Sequence, residues 1–252
     1  MLLSRIKRNA LALLMTLSVL SLPFTAFASD LHNDALQAIL EREVFIYSAT
    51  YGKDTAIGEL EVRISSQGDS VSVTTRLRIT NALARLFLDE YIIQNRFHIA
   101  HGQLYLVSGE ASKPGSGDVF SSYAVDRERG MIQYSDQESI PVPVDAKLDI
   151  PDFPIVLSTS VPESLAGTDV LVVSHKKASL YQYDSPQEET IVLQGKHYHA
   201  LKVTRSKSGE EDRWVSVWLT NDEKRTPLRI VSSKRGKDSV FELKAPLQAD
   251  SP

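Results

Sequence analysis

The 252-residue chain carries 28 Lys and Arg against 32 Asp and Glu, a formal charge of −4, and no cysteine. The missing cysteine excludes disulfides, thiolate metal sites, cysteine nucleophiles and lipid attachment at an export-site cysteine. An acidic chain with scattered bases also argues against nucleic acid or anionic lipid headgroups as main partners.

Arg5, Lys7 and Arg8 precede an apolar stretch from Ala10 to Leu22, which Pro23 ends, and Ala26-Phe27-Ala28 follows. Positive start, apolar middle and small residues at a cut site predict a cleavable secretion signal over residues 1–28. The expected destination is the periplasm. The apolar stretch is short for a hydrocarbon core of ~30 Å. No later run is long enough to span one, so no integral membrane segment is expected after cleavage. Losing Arg5, Lys7 and Arg8 leaves a charge of −7. Residues 29–252 have a size at which β folds often form one domain, and a single β-rich domain is expected.

Asp30 to Arg42 reads as a helix, with Leu31, Ala35, Leu36, Ile39 and Leu40 at three- and four-residue spacing. From Val44 the period drops to two. Val44–Tyr51 is a strand, and Leu60, Val62 and Ile64 alternate with Glu59, Glu61 and Arg63. After a turn at Gln67–Asp69, Val71, Val73, Thr75, Leu77 and Ile79 share one face. This is the pattern of antiparallel strands with one solvated face. Residues 81–89 fit a helical turn or, from Phe87, a strand. Further hairpins are expected across His101-Gly102 and across Asp126–Gly130, separated by a loop at Ser108–Asp118. Five prolines between Pro141 and Pro162 predict a crossover over 135–168 with a short helix near Phe153–Ser158, because proline lacks the ladder donor. Seven more strands follow between Val170 and Lys244.

Few constellations carry chemistry. His197 and His199 share a strand face and can bind zinc if a third ligand approaches; surface histidines are the plainer reading. Ser174-His-Lys-Lys177 matches a serine–lysine tetrad but sits at a strand end with no companion motif. Glu188-Glu189 and Glu210-Glu-Asp212 are carboxylate clusters in polar turns, where solvated charge is the ordinary explanation. No phosphate loop or dinucleotide fingerprint occurs, and no cofactor is expected. Trp214 and Trp218 share one face of a strand that is apolar on both sides. They are core residues or they line a ligand cavity, with Tyr181 and Phe153 as further aromatic candidates.

The stretch Val217-Trp-Leu-Thr-Asn-Asp-Glu-Lys-Arg-Thr-Pro-Leu-Arg-Ile230, with Tyr51-Gly52, Ile57-Gly58, Leu83–Phe87, Tyr91 and Leu193–Val203 before it, resembles the exported bacterial family known as domain of unknown function 3108. The resemblance spans roughly Tyr47 to Leu243, and the chain departs from it at Ile92–Arg96, where a serine-containing strand is usual. It implies a β-rich envelope protein and supplies no catalytic residues. The residues themselves read as a hairpin: Asp222 accepts backbone hydrogen bonds in the turn, Arg225 pairs with an acid across it, and Pro227 starts the return strand.

The expected fold is all-β: a single strongly curved antiparallel sheet, a half-barrel or open barrel, with a short N-terminal helix and an apolar hollow. The expected function is a non-enzymatic binding module for an apolar or amphipathic ligand or an envelope protein. The alternative is a hydrolase of envelope glycans using carboxylates or a His-bound metal.

Overall fold

The computed structural model describes residues 36–42, 44–52, 55–86, 90–143, 146–160 and 162–244. The expected signal, and the expected helix before residue 36, lie outside them. Strands occupy 61% of the described residues, which puts the fold in the all-β class.

The first half is a meander of β1 (Val44–Tyr51), β2 (Thr55–Gln67), β3 (Ser70–Ile79), β4 (Tyr91–Ala100), β5 (Gln103–Ser112), β6 (Val119–Asp126) and β7 (Met131–Tyr134), with β8 (Ile140–Pro141) at its edge. A crossover with β9 (Lys147–Asp149) and the one-turn helix α2 (Ile155–Ser158) leads to β10 (Asp169–Val173), β11 (Ala178–Tyr183), β12 (Gln187–Leu193), β13 (Lys196–Lys207), β14 (Arg213–Thr220), β15 (Pro227–Lys234) and β16 (Lys237–Leu243). β16 pairs with β1, which joins both halves into one 16-stranded sheet. Every pair is antiparallel except β9 with β10. The sheet curves without closing; its path ends at β8 on one side and β9 on the other.

Hairpin chemistry sets the register. Loops of two residues at His101-Gly102, Gln194-Gly195 and Arg235-Gly236 have positive φ at both positions. That is the type I′ geometry whose twist matches paired strands. With register fixed, alternation sorts the side chains. Leu60, Val62 and Ile64 of β2 lie opposite Leu77, Thr75 and Val73 of β3, on the face that carries Phe45, Tyr47, Val217 and Ile230. This concave face holds the core, as the period-two pattern predicts.

The hollow is partly filled by the chain itself. Past β9, Pro151 and Pro154 keep residues 150–154 out of any ladder, and the chain turns inward instead. Ile150, Phe153, Ile155 and Leu157 are fully buried. The Phe153 ring sits 5.3 Å from that of Phe45. Each such apolar side chain contributes about 1.5–3 kcal/mol on leaving water. Asp149 ties this plug to the sheet through Arg205, at 2.8 Å, with both side chains buried. The helix at 36–41, α1, adds Leu36 and Ile39 to the same core at the end where β1 begins. Just beyond it, the Arg42 guanidinium lies 4.8 Å over the Phe45 ring.

Two boundaries differ from expectation. The segment read as a loop from Ser108 is strand as far as Ser112, because Gly109 and Ala111 pair with Tyr123 and Ser121 of β6. Residues 84–86 form a 3₁₀ turn and β4 starts only at Tyr91. The Asn81 carboxamide oxygen accepts the N–H groups of Leu83 and Ala84, which favours the turn over extension.

β13 is a corner strand. Its first half pairs with β12 and its second half with β11. Next to this junction, β12 curls over the outer face of β14–β16. The Trp218 indole donates to Glu189 at 2.8 Å, Arg229 donates to the Val192 carbonyl at 3.2 Å, and the Gln194 amide donates to the Leu243 carbonyl at 3.2 Å.

Candidate functional site

At the end of the sheet opposite α1 the hollow stays open. A cleft of about 440 Å³ is lined by Tyr51, Ile57, Leu77, Ile230 and Phe241 on its apolar walls and by Ser232 and Ser239, which pair across β15 and β16. Pro151 and Asp152, the outer end of the plug, form its floor, and Tyr91 and Lys176 complete the lining. The volume lies in the range of small-molecule sites, and apolar walls with few polar groups are their usual composition.

The rim is closed by the turn between β10 and β11. The Ser121 hydroxyl donates to the His175 carbonyl at 2.6 Å, and the Gln137 amide donates to the Lys176 carbonyl at 2.7 Å. The His175 ring packs 6.1 Å from Tyr91 and 5.7 Å from Phe120. This turn bridges the gap that strand pairing leaves open. It also absorbs the serine–lysine tetrad: the Ser174 hydroxyl accepts the N–H groups of Lys176 and Lys177 and donates to the Lys177 carbonyl.

Asp152 is the unusual group. Its Oδ2 is shielded from solvent and has no hydrogen-bond partner among the described residues. Burial pushes its carboxyl up to about 6, with Arg205 pulling the other way. The Asp152 charge in turn pushes the Tyr91 hydroxyl upward, and burial adds to it. Perturbed groups in a cleft mark candidate sites. Asp149, three residues earlier, is served quite differently. Burial raises it, but Arg205 and the N–H groups of Ile150 and Val156 all stabilise its charged form.

None of the four aromatic residues singled out in the sequence lines this cleft. Trp214 and Trp218 pair with Ser233 and Arg229, the alternate neighbours of the cleft residues Ser232 and Ile230, and so point to the outer face. There Trp218 lies under β12, with Lys202 and Arg229 against its ring. Tyr181 sits on β11 with the Arg205 guanidinium 5.7 Å from its ring. Phe153 is in the plug, fully buried. His197 and His199 are exposed on β13, with His199 Nδ1 3.3 Å from the Thr190 hydroxyl. Among the described residues no group of three or more His, Asp or Glu is placed to hold a metal ion. The carboxylate clusters serve as counter-ions: Glu189 to Lys202 and Glu210 to Lys207 and Arg213.

The C-terminal hairpin reads largely as expected. Asp222 Oδ1 accepts the N–H groups of Lys224 and Arg225, both at 3.1 Å, and the Thr220 hydroxyl at 2.5 Å. Arg225 reaches the Ser160 carbonyl at 2.5 Å, so it docks the hairpin on the crossover. Pro227 opens β15, and its carbonyl accepts the Tyr47 hydroxyl at 3.1 Å.

No protein-family model matches this chain, and no curated protein matches it in sequence. Among solved structures it is similar to a β-barrel-like protein of domain of unknown function 1849 from Brucella abortus, at 9% identity over 80% of this chain and 95% of that one, with a TM-score of 0.44. It is also similar to the Mycobacterium tuberculosis lipoprotein LppX, at 11% identity over 90% of this chain and 100% of that one, with a TM-score of 0.31. No helix among the described residues is long and apolar enough to cross a membrane.

Proposed function

We propose that this is an exported, non-enzymatic binding protein that holds a small apolar or amphipathic molecule in the cleft at the open end of its sheet. We further propose that it belongs to the exported family that its C-terminal hairpin resembles. The observation that carries the binding role is the cleft itself. The plug fills one part of the hollow and stops at Asp152, leaving about 440 Å³ walled by Ile57, Leu77, Ile230 and Phe241. An apolar concavity of this size with a few polar groups at its floor is the usual form of a small-molecule site. Export follows from the charged, apolar and A-x-A order of residues 1–28.

The binding test uses N-phenyl-1-naphthylamine, a neutral probe whose fluorescence rises in apolar surroundings. The wild-type protein is expected to bind it. Ser239→Phe, which places a ring in the cleft from a half-buried strand position, is expected to weaken binding by about tenfold while far-ultraviolet circular dichroism stays the same. Undiminished binding by folded Ser239→Phe would remove the cleft as the site. For export, periplasmic fractionation with N-terminal sequencing is expected to give protein starting at Ser29; full-length cytoplasmic protein would reject it.

A further inference from the structure

The cleft has a polarity that narrows its ligand. We infer that it takes an amphipathic molecule head-first, with a hydrogen-bond-donating polar end, ammonium or hydroxyl, at the Asp152 carboxyl and an apolar chain along Ile57, Leu77, Ile230 and Phe241. This rests on the cleft being a ligand site and names what that site selects.

The argument starts from the floor. An ionised carboxylate has only acceptor sites. Asp149 has its acceptors filled by three donors, whereas Asp152 Oδ2 has none among the described residues. A shielded polar atom without a partner costs about as much as its lost hydration, and a ligand donor would recover that cost. The Arg205 charge acts on Asp152, but its terminal nitrogens are committed to Asp149 Oδ2 and the Ile150 carbonyl. An anionic ligand end would meet the like-charged Asp152 carboxylate at the floor, and Arg205 Nε, unpartnered among the described residues, is shielded from solvent. The chain alongside would run between apolar walls toward Tyr51, whose ring is partly exposed at the mouth.

The groups facing Asp152 are few. Tyr91 on β4 and Tyr123 on β6 are both pushed upward, in part by Asp152, and stay neutral near pH 7. Arg205 approaches from β13 and Asp149 from the plug. Lys176 enters from the rim turn, and it is exposed. Lys176 and Arg205 are the cations on this side that would favour an anion instead. His175, against Tyr91, is held low, chiefly by burial and then by Lys176. Ionisation of Asp152 above about pH 6 should strengthen an ammonium contact, and protonated His175 at low pH would weaken it further.

The test is isothermal titration of the full-length protein with decylamine, decanol and decanoate, which share one chain. At pH 8 decylamine is expected to bind about tenfold more tightly than decanoate, the scale of a charge-assisted contact. Lowering the pH from 8 to 5 should weaken decylamine about tenfold, since one pK unit corresponds to that factor. Asp152→Asn should abolish the preference for decylamine and its pH dependence while decanol changes little. Decanoate binding as tightly as decylamine, or an unchanged preference in Asp152→Asn, overturns the inference and leaves the cleft intact as a site. If none of the three binds the wild-type protein, the cleft reading fails and this inference falls with it. The wild-type comparison stands even where a variant does not fold.

Discussion

Arg205→Met is expected to lower the unfolding free energy by about 3–5 kcal/mol, the cost of stranding one member of a buried ion pair. Arg205 is 2% exposed and Asp149 not at all, so the carboxylate left behind has no water to turn to. Two backbone N–H groups would remain, from Ile150 and Val156, which is too little for a buried charge. The loss has a characteristic pH dependence. Without Arg205, Asp149 would ionise only at much higher pH than in the unfolded chain. Its folded-state affinity for a proton is then raised, so stability is lost as pH rises above the unfolded value near 3.9 and recovers on acidification. Urea unfolding at pH 8 and pH 5 should show the larger deficit at pH 8. Adding Asp149→Asn to Arg205→Met should restore part of the stability at pH 8, because the stranded charge is gone. A single variant within about 1 kcal/mol of wild type would mean that the pair does not hold the plug. The effect reaches the cleft as well: Asp152 is three residues beyond Asp149, so loosening the anchor should weaken N-phenyl-1-naphthylamine binding along with stability.

This ion pair illustrates what the sequence shows and what it conceals. Strand faces were legible, because a half-buried strand writes its burial as period two; Leu60, Val62, Ile64, Val71 and Val73 are all on the concave face and buried. The proline-rich stretch at residues 150–154 was legible as non-strand, whereas the short strands β8 and β9 inside the same crossover were not. That this stretch would turn inward and plug the hollow was not legible either, since the same composition describes an exposed loop. Arg205 follows Val203 on one face of its strand and reads as a solvent residue; only the arrival of Asp149, 56 positions away in the chain, makes it a core residue. The tryptophan strand failed as a guide for a related reason. Both its faces are apolar, so alternation cannot say which one is concave. The outer face is covered by β12 folding back, with Glu189 accepting from Trp218, an event set at the β13 corner and not by the strand's own residues. Asp152 carried one available signal, a carboxylate between two prolines inside an otherwise apolar run. Its significance depends on Tyr91, Lys176 and Phe241, which arrive from three separate parts of the sheet.

Gly58→Ala is expected to cost about 2–3 kcal/mol, as an overpacked core site does, although its backbone angles are ordinary for a strand. The reason is contact. A Cβ at Gly58 would collide with the Arg78 carbonyl oxygen, and lie 2.9 Å from the carbonyl carbon. Neither is the end of a flexible side chain that could swing aside. Gly58 lies opposite Ile79 of β3 and Ala49 of β1, beside the bulge at Ala49/Thr50. The close approach lets the Ile57 carbonyl accept from Thr80 at 3.0 Å and Asn81 at 3.3 Å as β3 ends. Pushing β2 and β3 apart there would break those bonds and separate Ile57 from Leu77, two walls of the cleft. Gly52→Ala is the contrast. That glycine has φ +65 and nothing within 4 Å of an added Cβ, so its substitution carries only left-handed backbone strain, about 1 kcal/mol. Urea midpoints for the two variants separate the causes. If Gly58→Ala costs no more than Gly52→Ala, the strands do not meet as closely as drawn, and the rim of the cleft must be wider. If it costs more and also weakens N-phenyl-1-naphthylamine binding, one glycine sets both the strand approach and the mouth of the site.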